Sequence, residues 1–191
     1  MRQETPEGAL SDPRRGQLMR DFAAAYEQSL DERVDRYLEV AHQTIIPNHY
    51  FAEASTQCID LYRDGYFLSA VMVSQAVNEG IFKMIEERNG ISASGHEDLL
   101  SQLRSMNLIS ESCAEASRRI WKSFRNDTHH MNPKVASIPF REVARNNLKD
   151  LALIEKEIFD VSVGPGGLMP KQPMYWDIKS DGTVDVFLRL L

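Results

Sequence analysis

The chain has 191 residues, of which 42% are hydrophobic and 26% charged, with 10 glycines and a formal net charge of −6. That composition lies in the globular range, supports a buried core and argues against a disordered chain. No run approaches the roughly 18 apolar residues needed to span a bilayer, and the opening Met1-Arg2-Gln3-Glu4-Thr5-Pro6-Glu7 has no apolar segment of a secretory signal, so the expected setting is cytoplasmic, with no membrane. Cys58 and Cys113 are 55 positions apart with no Cys-x-x-Cys pairing, which predicts buried free thiols.

Residues 1–16 are expected to form a flexible tail. From Gln17, the residues Leu18, Phe22, Tyr26, Leu30, Val34, Tyr37 and Ala41 recur every three or four positions, the period of one helix face, and Pro47 is expected to end that segment. Ser29 with Glu32 matches a capping box and marks a break within it. A second helix is expected from about Tyr50 to Asp64, with Gly65 at its left-handed end. The third, from about Tyr66 to Arg88, is apolar nearly all round at Phe67–Val73, as a central helix must be. Ser94 with Glu97, and Ser112 with Glu115, suggest two further starts. After the His129-His130-Met131-Asn132-Pro133 break, Ser137 and Pro139 are placed to open a last helix through Ile158.

The tail differs. Six of the twelve residues from Ser162 to Pro173 are Gly or Pro, which reads as a linker over 161–173. Lys179-Ser180-Asp181-Gly182 between two β-prone runs predicts a β-hairpin over 174–191. A lone hairpin is marginal in water, so Trp176, Val186 and Phe187 are expected to pack on the bundle or on another chain. The expected fold is therefore an all-α helical bundle of five to seven helices over 17–160, with a C-terminal β-hairpin appendage.

Charge is uneven. The stretch from Arg118 to Lys149 carries +6 and the remainder −12. An acidic whole argues against indiscriminate nucleic-acid coating, whereas a local basic stripe can hold a phosphodiester backbone. Arg118, Arg119, Lys122, Lys134, Arg141 and Arg145 are the candidate RNA-binding residues.

Inside that stretch lies Phe124-Arg125-Asn126-Asp127-Thr128-His129-His130, where Asn-Asp-Thr disfavours a regular helix interior. Arg125, Asn126 and His130 match an Arg, polar residue, spacer, His motif. With the upstream Gly65-Tyr66, Ala70 and Glu79-Gly80-Ile81-Phe82-Lys83, the pattern resembles the HEPN superfamily, the higher-eukaryote and prokaryote nucleotide-binding helical domains, over about residues 50–160. The residue types permit RNA cleavage without metal or cofactor. The ribose 2′-hydroxyl attacks the adjacent phosphorus, a histidine of ordinary pKa near 6.5 moves the proton, and an arginine fork holds the phosphorane charge. Asn126 can orient either group. Family spacing favours His130 as the proton carrier, with Asn126–Thr128 bending the backbone, while a persistent helix would instead put His129 on the face of Arg125. Glu79 either orients Arg125 or faces solvent and pairs with Lys83. The resemblance further implies a homodimer with a composite site, and a toxin or defence effector with an antitoxin or partner protein. Because like charges oppose such a contact, apolar surface beside the motif, with Trp121 and Phe124 as anchors, is expected to close it, and the hairpin can add Trp176 or Phe187 across the two-fold.

Competing constellations are weaker. Glu39-Val40-Ala41-His42 has a di-iron spacing without a second copy, so no metal is expected. His49 and His96 stand near helix starts, in exposed or capping positions. Gly164-Pro165-Gly166-Gly167 lacks the Lys-Ser/Thr of a phosphate loop, and no Gly-x-Ser-x-Gly is present. Three functions follow as expectations: an endoribonuclease, a non-catalytic RNA- or nucleotide-binding member, or a helical adaptor.

Overall fold

The computed structural model describes residues 13–42, 44–164 and 167–189; the expected tail lies mostly outside them, at 1–12. Among the described residues the chain is an all-α bundle with a small β appendage. The helices are α1 (Pro13–Gln28), α2 (Leu30–Val40), α3 (Ala52–Arg63), α4 (Phe67–Arg88), α5 (His96–Ser105), α6 (Glu111–Lys122), α7 (Arg125–His129) and α8 (Phe140–Ile158). The strands are β1 (Ile45–Pro47), β2 (Val161–Gly164), β3 (Gly167–Pro170) and β4 (Val186–Leu188).

The near-continuous apolar run of α4 does make it central: Ala70, Val71, Val77, Ile81, Phe82 and Ile85 are buried, and α3, α6 and α8 pack around it. The α3 end follows from Gly65, whose φ of +86° lets the Gly65 N–H reach Tyr62 O and the Tyr66 N–H reach Leu61 O, closing the helix on a Schellman turn. Cys58 and Cys113 are buried free thiols, and burial pushes both up from the ordinary thiol range.

Several expectations are corrected. The first segment breaks at Ser29 as expected, but the Ser29 hydroxyl donates back to Ala25 O and Tyr26 O rather than capping α2. Helix α2 stops at Val40, seven positions before Pro47, which lies in β1. Of that apolar face, Leu18, Phe22, Tyr26, Leu30 and Val34 are exposed. The boxed starts also shift: Asp98, not Glu97, receives Ser94 N and Oγ, and α6 is capped by Ser110, whose Oγ accepts from Cys113 N.

The linker of 161–173 contains an antiparallel strand pair, β2 against β3, with Gly164 opposite Gly167. The C-terminal hairpin reduces to one bridge, Ile178 to Val184, around the turn at Gly182 (φ +82°). Neighbouring residues of a strand point to opposite faces, yet Tyr175 and Trp176 are both buried. A 3₁₀ turn over Pro173–Tyr175 leads both to the core, and of the first β-prone run, Tyr175–Ile178, only Ile178 makes a bridge. The second, β4, pairs antiparallel with β1 instead, Ile46 opposite Phe187.

Candidate active site

A buried polar layer positions the motif. The Ser123 carbonyl and hydroxyl both accept from Gln75 Nε2 (2.7 and 3.0 Å), and Asn147 Nδ2 donates to Ser123 Oγ (2.9 Å) and Ser74 Oγ (3.0 Å). Gln75 and Ser74 belong to α4 and Asn147 to α8, so the end of α6 is tied to both central helices. With Ser123 held, the chain turns through Phe124 in the left-handed region (φ 57°, ψ 26°) and restarts as α7 at Arg125. Asn126–Thr128 therefore continue a helix, stabilised by the buried Thr128 hydroxyl donating to Phe124 O and Arg125 O. The irregularity expected after Arg125 lies immediately before it.

Arg125 is held from two sides. Its Nη2 donates to Glu79 Oε2 at 2.7 Å, and its guanidinium lies 4.2 Å from the Trp121 ring centroid. Of its two expected partners, Glu79 thus pairs with Arg125. Behind Trp121 the His96 ring stacks at 4.3 Å and 10°, with its Nε2 3.1 Å from Ser117 Oγ, which itself donates to Asn78 Oδ1. Burial lowers the His96 pKa below the ordinary histidine value. The stack Arg125–Trp121–His96 is anchored through Ser117 to the core, and Arg125 Nη1 is buried without a hydrogen-bond partner. His96 is no exposed helix-start residue. Nor is His49: its imidazole is buried, with Nε2 3.0 Å from Tyr175 O.

Arg125 and Asn126 share a groove of about 660 Å³ with Glu97, Trp121, Lys122, Phe124, Asp127 and Lys134. His129 and His130 are exposed at the far end of α7 and outside that lining. Because α7 persists, His129 sits one turn from Arg125, about 6 Å along the axis on the same face, and His130 turns away from that face.

The basic residues do not form one stripe. Arg118 pairs with Glu97 (2.8 Å) and Glu115, Lys122 with Glu97 (2.9 Å), and Lys134 with Asp127 (3.9 Å), all near the Arg125 groove. Arg118 and Lys122 together hold the Glu97 carboxyl down to about 2. Arg119 instead pairs with Asp150 (2.6 Å) at a neighbouring groove with Lys149, and Arg141 pairs with Glu39 (3.2 Å) at a third that includes Arg145. Most of these carboxylates come from outside the basic stretch, which is why counting charge along the chain overstates the local field.

Glu39 and His42, the metal-like pair, go to different partners: Glu39 accepts from Tyr62 and Arg141, and His42 faces Glu155. Among the described residues no group of three His, Cys, Asp or Glu side chains is placed to hold a metal. No helix among them is long and apolar enough to cross a membrane. Sequence reading missed His96, Ser117, Ser123, Gln75 and Asn147 as supports of the site; the only signal was several polar residues within otherwise apolar helices. No family model, curated protein or solved structure matches the chain.

Proposed function

We propose that this chain is a metal-independent endoribonuclease of the HEPN type, acting at the groove beside α7 in a dimeric toxin or defence effector. The observation that carries the reading is the placement of Arg125, fixed by Glu79 and Trp121 at the lip of a groove that also holds Asn126. A preorganised guanidinium loses little freedom when a phosphate arrives, and exchanging the half-exposed Glu79 carboxylate for a phosphate oxygen frees its Nη2 donor. One imidazole from α7, His130 by motif spacing or His129 by shared helix face, moves the proton of the attacking 2′-hydroxyl. Lys122 and Lys134 steer the backbone into the groove.

In a composite site, two copies bring two Arg125 groups to one RNA. Trp176 cannot anchor that contact because it is buried in its own chain, and both faces of Trp121 are already covered, by His96 and Arg125. Phe124 is the remaining apolar candidate beside the motif. A second reading, RNA binding without cleavage, draws support from the position of His129 and His130 outside the groove lining.

Labelled RNA incubated with the full chain in EDTA separates the two. The ribonuclease reading expects cleavage, a 2′,3′-cyclic phosphate end and no cutting of DNA, which lacks the attacking hydroxyl. Arg125→Ala and one of His129→Ala or His130→Ala should abolish it while the chain stays folded. RNA binding with no cleavage selects the second reading, and DNA cut at a similar rate overturns the mechanism.

A further inference from the structure

The turn at Phe124 is unusual for so large a side chain. A backbone φ of 57° crowds a Cβ against the following carbonyl and suits glycine, and bulky residues held there cluster at sites that contact ligands. Packing does not account for the ring. It is half-buried, and it belongs neither to the buried core nor to the hydrophobics packed against that core. Instead it stands between two grooves. One, of about 660 Å³, holds Arg125 and Asn126; the other, of about 440 Å³, lies between α6 and α8 and is lined by Arg119, Val143, Asn146, Lys149 and Asp150. Phe124 lines both. Together the two linings carry five Lys or Arg side chains against three carboxylates. Lys149 pairs with no carboxylate among the described residues. Lys134 is loosely placed, 3.9 Å from Asp127 and 5.7 Å from the Phe124 ring centroid, with its side chain 64% exposed.

We propose that Phe124 is the platform on which one unpaired RNA base stacks, with the phosphate on one side of that nucleotide at Arg125 and the phosphate on the other side at Lys149 and Arg119 in the α6–α8 groove. The inference rests on the RNA-binding part of the function proposed above, whether or not the strand is cut, and it names single-stranded RNA as the ligand. A base inside a duplex is stacked on both faces and has none to give to a side chain, whereas an unpaired base offers its π-face to an aromatic ring whatever its identity. Cations on both sides of a single ring match a strand whose phosphates flank each base. The exposed Asn146 amide stands in the second groove with a donor and an acceptor for a base edge. Charge also selects RNA over a second copy of the chain, which would bring the same excess of cations to the ring. The ring left as an apolar candidate for the two-fold contact is thereby given to the RNA.

The test measures binding apart from cleavage, with the full chain and a single-stranded oligoribonucleotide whose 2′-hydroxyls are methylated so that it cannot be cut. Phe124→Gly is the central variant, because glycine is at ease at this φ and the lost ring fills no core, so circular dichroism and the urea midpoint should hold. Its affinity should fall roughly 5- to 100-fold, the contribution of one stacked base. Phe124→Leu should lose as much although it keeps apolar bulk, and Phe124→Trp should keep the wild-type affinity; this pair decides the matter without changing the backbone preference at residue 124. The same strand annealed to its complement should bind wild type and Phe124→Gly alike. Removing the bases one at a time should find one position whose loss weakens wild type and leaves Phe124→Gly unchanged. Wild-type affinity in Phe124→Gly and Phe124→Leu, with ordinary RNA still cleaved, overturns this proposal and leaves the ribonuclease reading in place. A wild type that binds no RNA overturns both. A Phe124→Gly chain whose mass in sedimentation equilibrium falls by half, while Phe124→Leu keeps both mass and affinity, gives the ring to a second copy and overturns the stacking role.

Discussion

Two arginine–glutamate pairs in this molecule have the same length and opposite surroundings. Arg189 Nη2 lies 2.7 Å from Glu155 Oε1 with the two side chains 6% and 0% exposed, and Arg125 Nη2 lies 2.7 Å from Glu79 Oε2 with 31% and 50% exposed. Around Glu155 the other contacts are internal: Ser55 Oγ donates to it at 2.5 Å, Arg189 donates to the same hydroxyl at 2.6 Å, and His42 Nε2 stands 3.2 Å from Oε2. That cluster ties the carboxy-terminal strand, the α2–β1 connection, α3 and α8 into one unit. Ser55 bonds the glutamate and not the histidine, so the cluster lacks the serine–histidine contact of a nucleophilic relay. Around Arg125 the contacts leave one edge of the guanidinium on a solvent-filled groove. A buried pair whose partners are all internal can only hold structure, while a half-exposed pair can exchange its carboxylate for an incoming anion at little cost.

Breaking the buried pair should give the largest effect. Glu155→Ala leaves Arg189 charged in a low-dielectric site, and Arg189→Ala leaves Glu155 the same way, so each should lower the free energy of unfolding by about 3–5 kcal/mol. Urea titration followed by circular dichroism measures it; a loss below about 1 kcal/mol would mean that solvent reaches the cluster. Next comes Arg125→Ala, which should lower RNA cleavage by about 10²- to 10³-fold through loss of transition-state charge stabilisation. Its effect on unfolding should stay within about 1 kcal/mol, since the ion pair it removes is exposed to solvent. If Arg125→Ala unfolded the chain as readily as Arg189→Ala, the distinction between the two pairs would fail.

The contrast also marks what could be read from the sequence. Period and punctuation were enough for α3, α4 and α8, because Gly65 and the apolar run at 67–73 act locally. The buried cluster was not legible: Glu155 and Arg189 are polar residues in unremarkable positions, and only the pairing of β4 with β1 brings Arg189 to α8. The same pairing defeated the hairpin expectation, since a strand's partner depends on the whole fold while a turn signal depends on four residues. Helices α1 and α2 failed differently. Their period was read correctly, but periodicity reports that a face is apolar and not what covers it.

Acid should separate the two regions more gently. Burial alone would raise the Glu155 pKa, but the His42 contact, the Arg189 charge and the Ser55 hydroxyl outweigh it and hold the group below the ordinary 4.5. A depressed folded pKa means that the unfolded chain takes up the proton first. The stabilisation is therefore complete above the ordinary glutamate value and is lost as pH falls below it towards the folded value. His96, lowered from 6.5 by burial, acts in the same direction at higher pH, because the unfolded imidazole protonates first as pH falls through 6.5. Thermal unfolding of wild type and Glu155→Gln across pH 3 to 7 should show the low-pH loss in the wild type and a flatter profile in the variant. Parallel profiles would remove Glu155 from that role.

The smallest change sharpens the comparison most, because the same substitution can be made at both pairs. Glu155→Gln removes the charge that balances a buried arginine, and unfolding should become easier by several kcal/mol. Glu79→Gln removes a carboxylate 50% exposed from an arginine already stacked on Trp121, and exposed pairs contribute about 0–1 kcal/mol, less as salt is added. Stability should hardly move. RNA affinity at low salt should rise a few-fold, because the groove loses one negative charge beside Arg125 and the guanidinium no longer has to surrender a carboxylate when phosphate binds. Filter binding at two salt concentrations measures this. A fall in affinity would mean that Glu79 is needed to aim the guanidinium, and that the cation–π contact with Trp121 alone does not hold it in place.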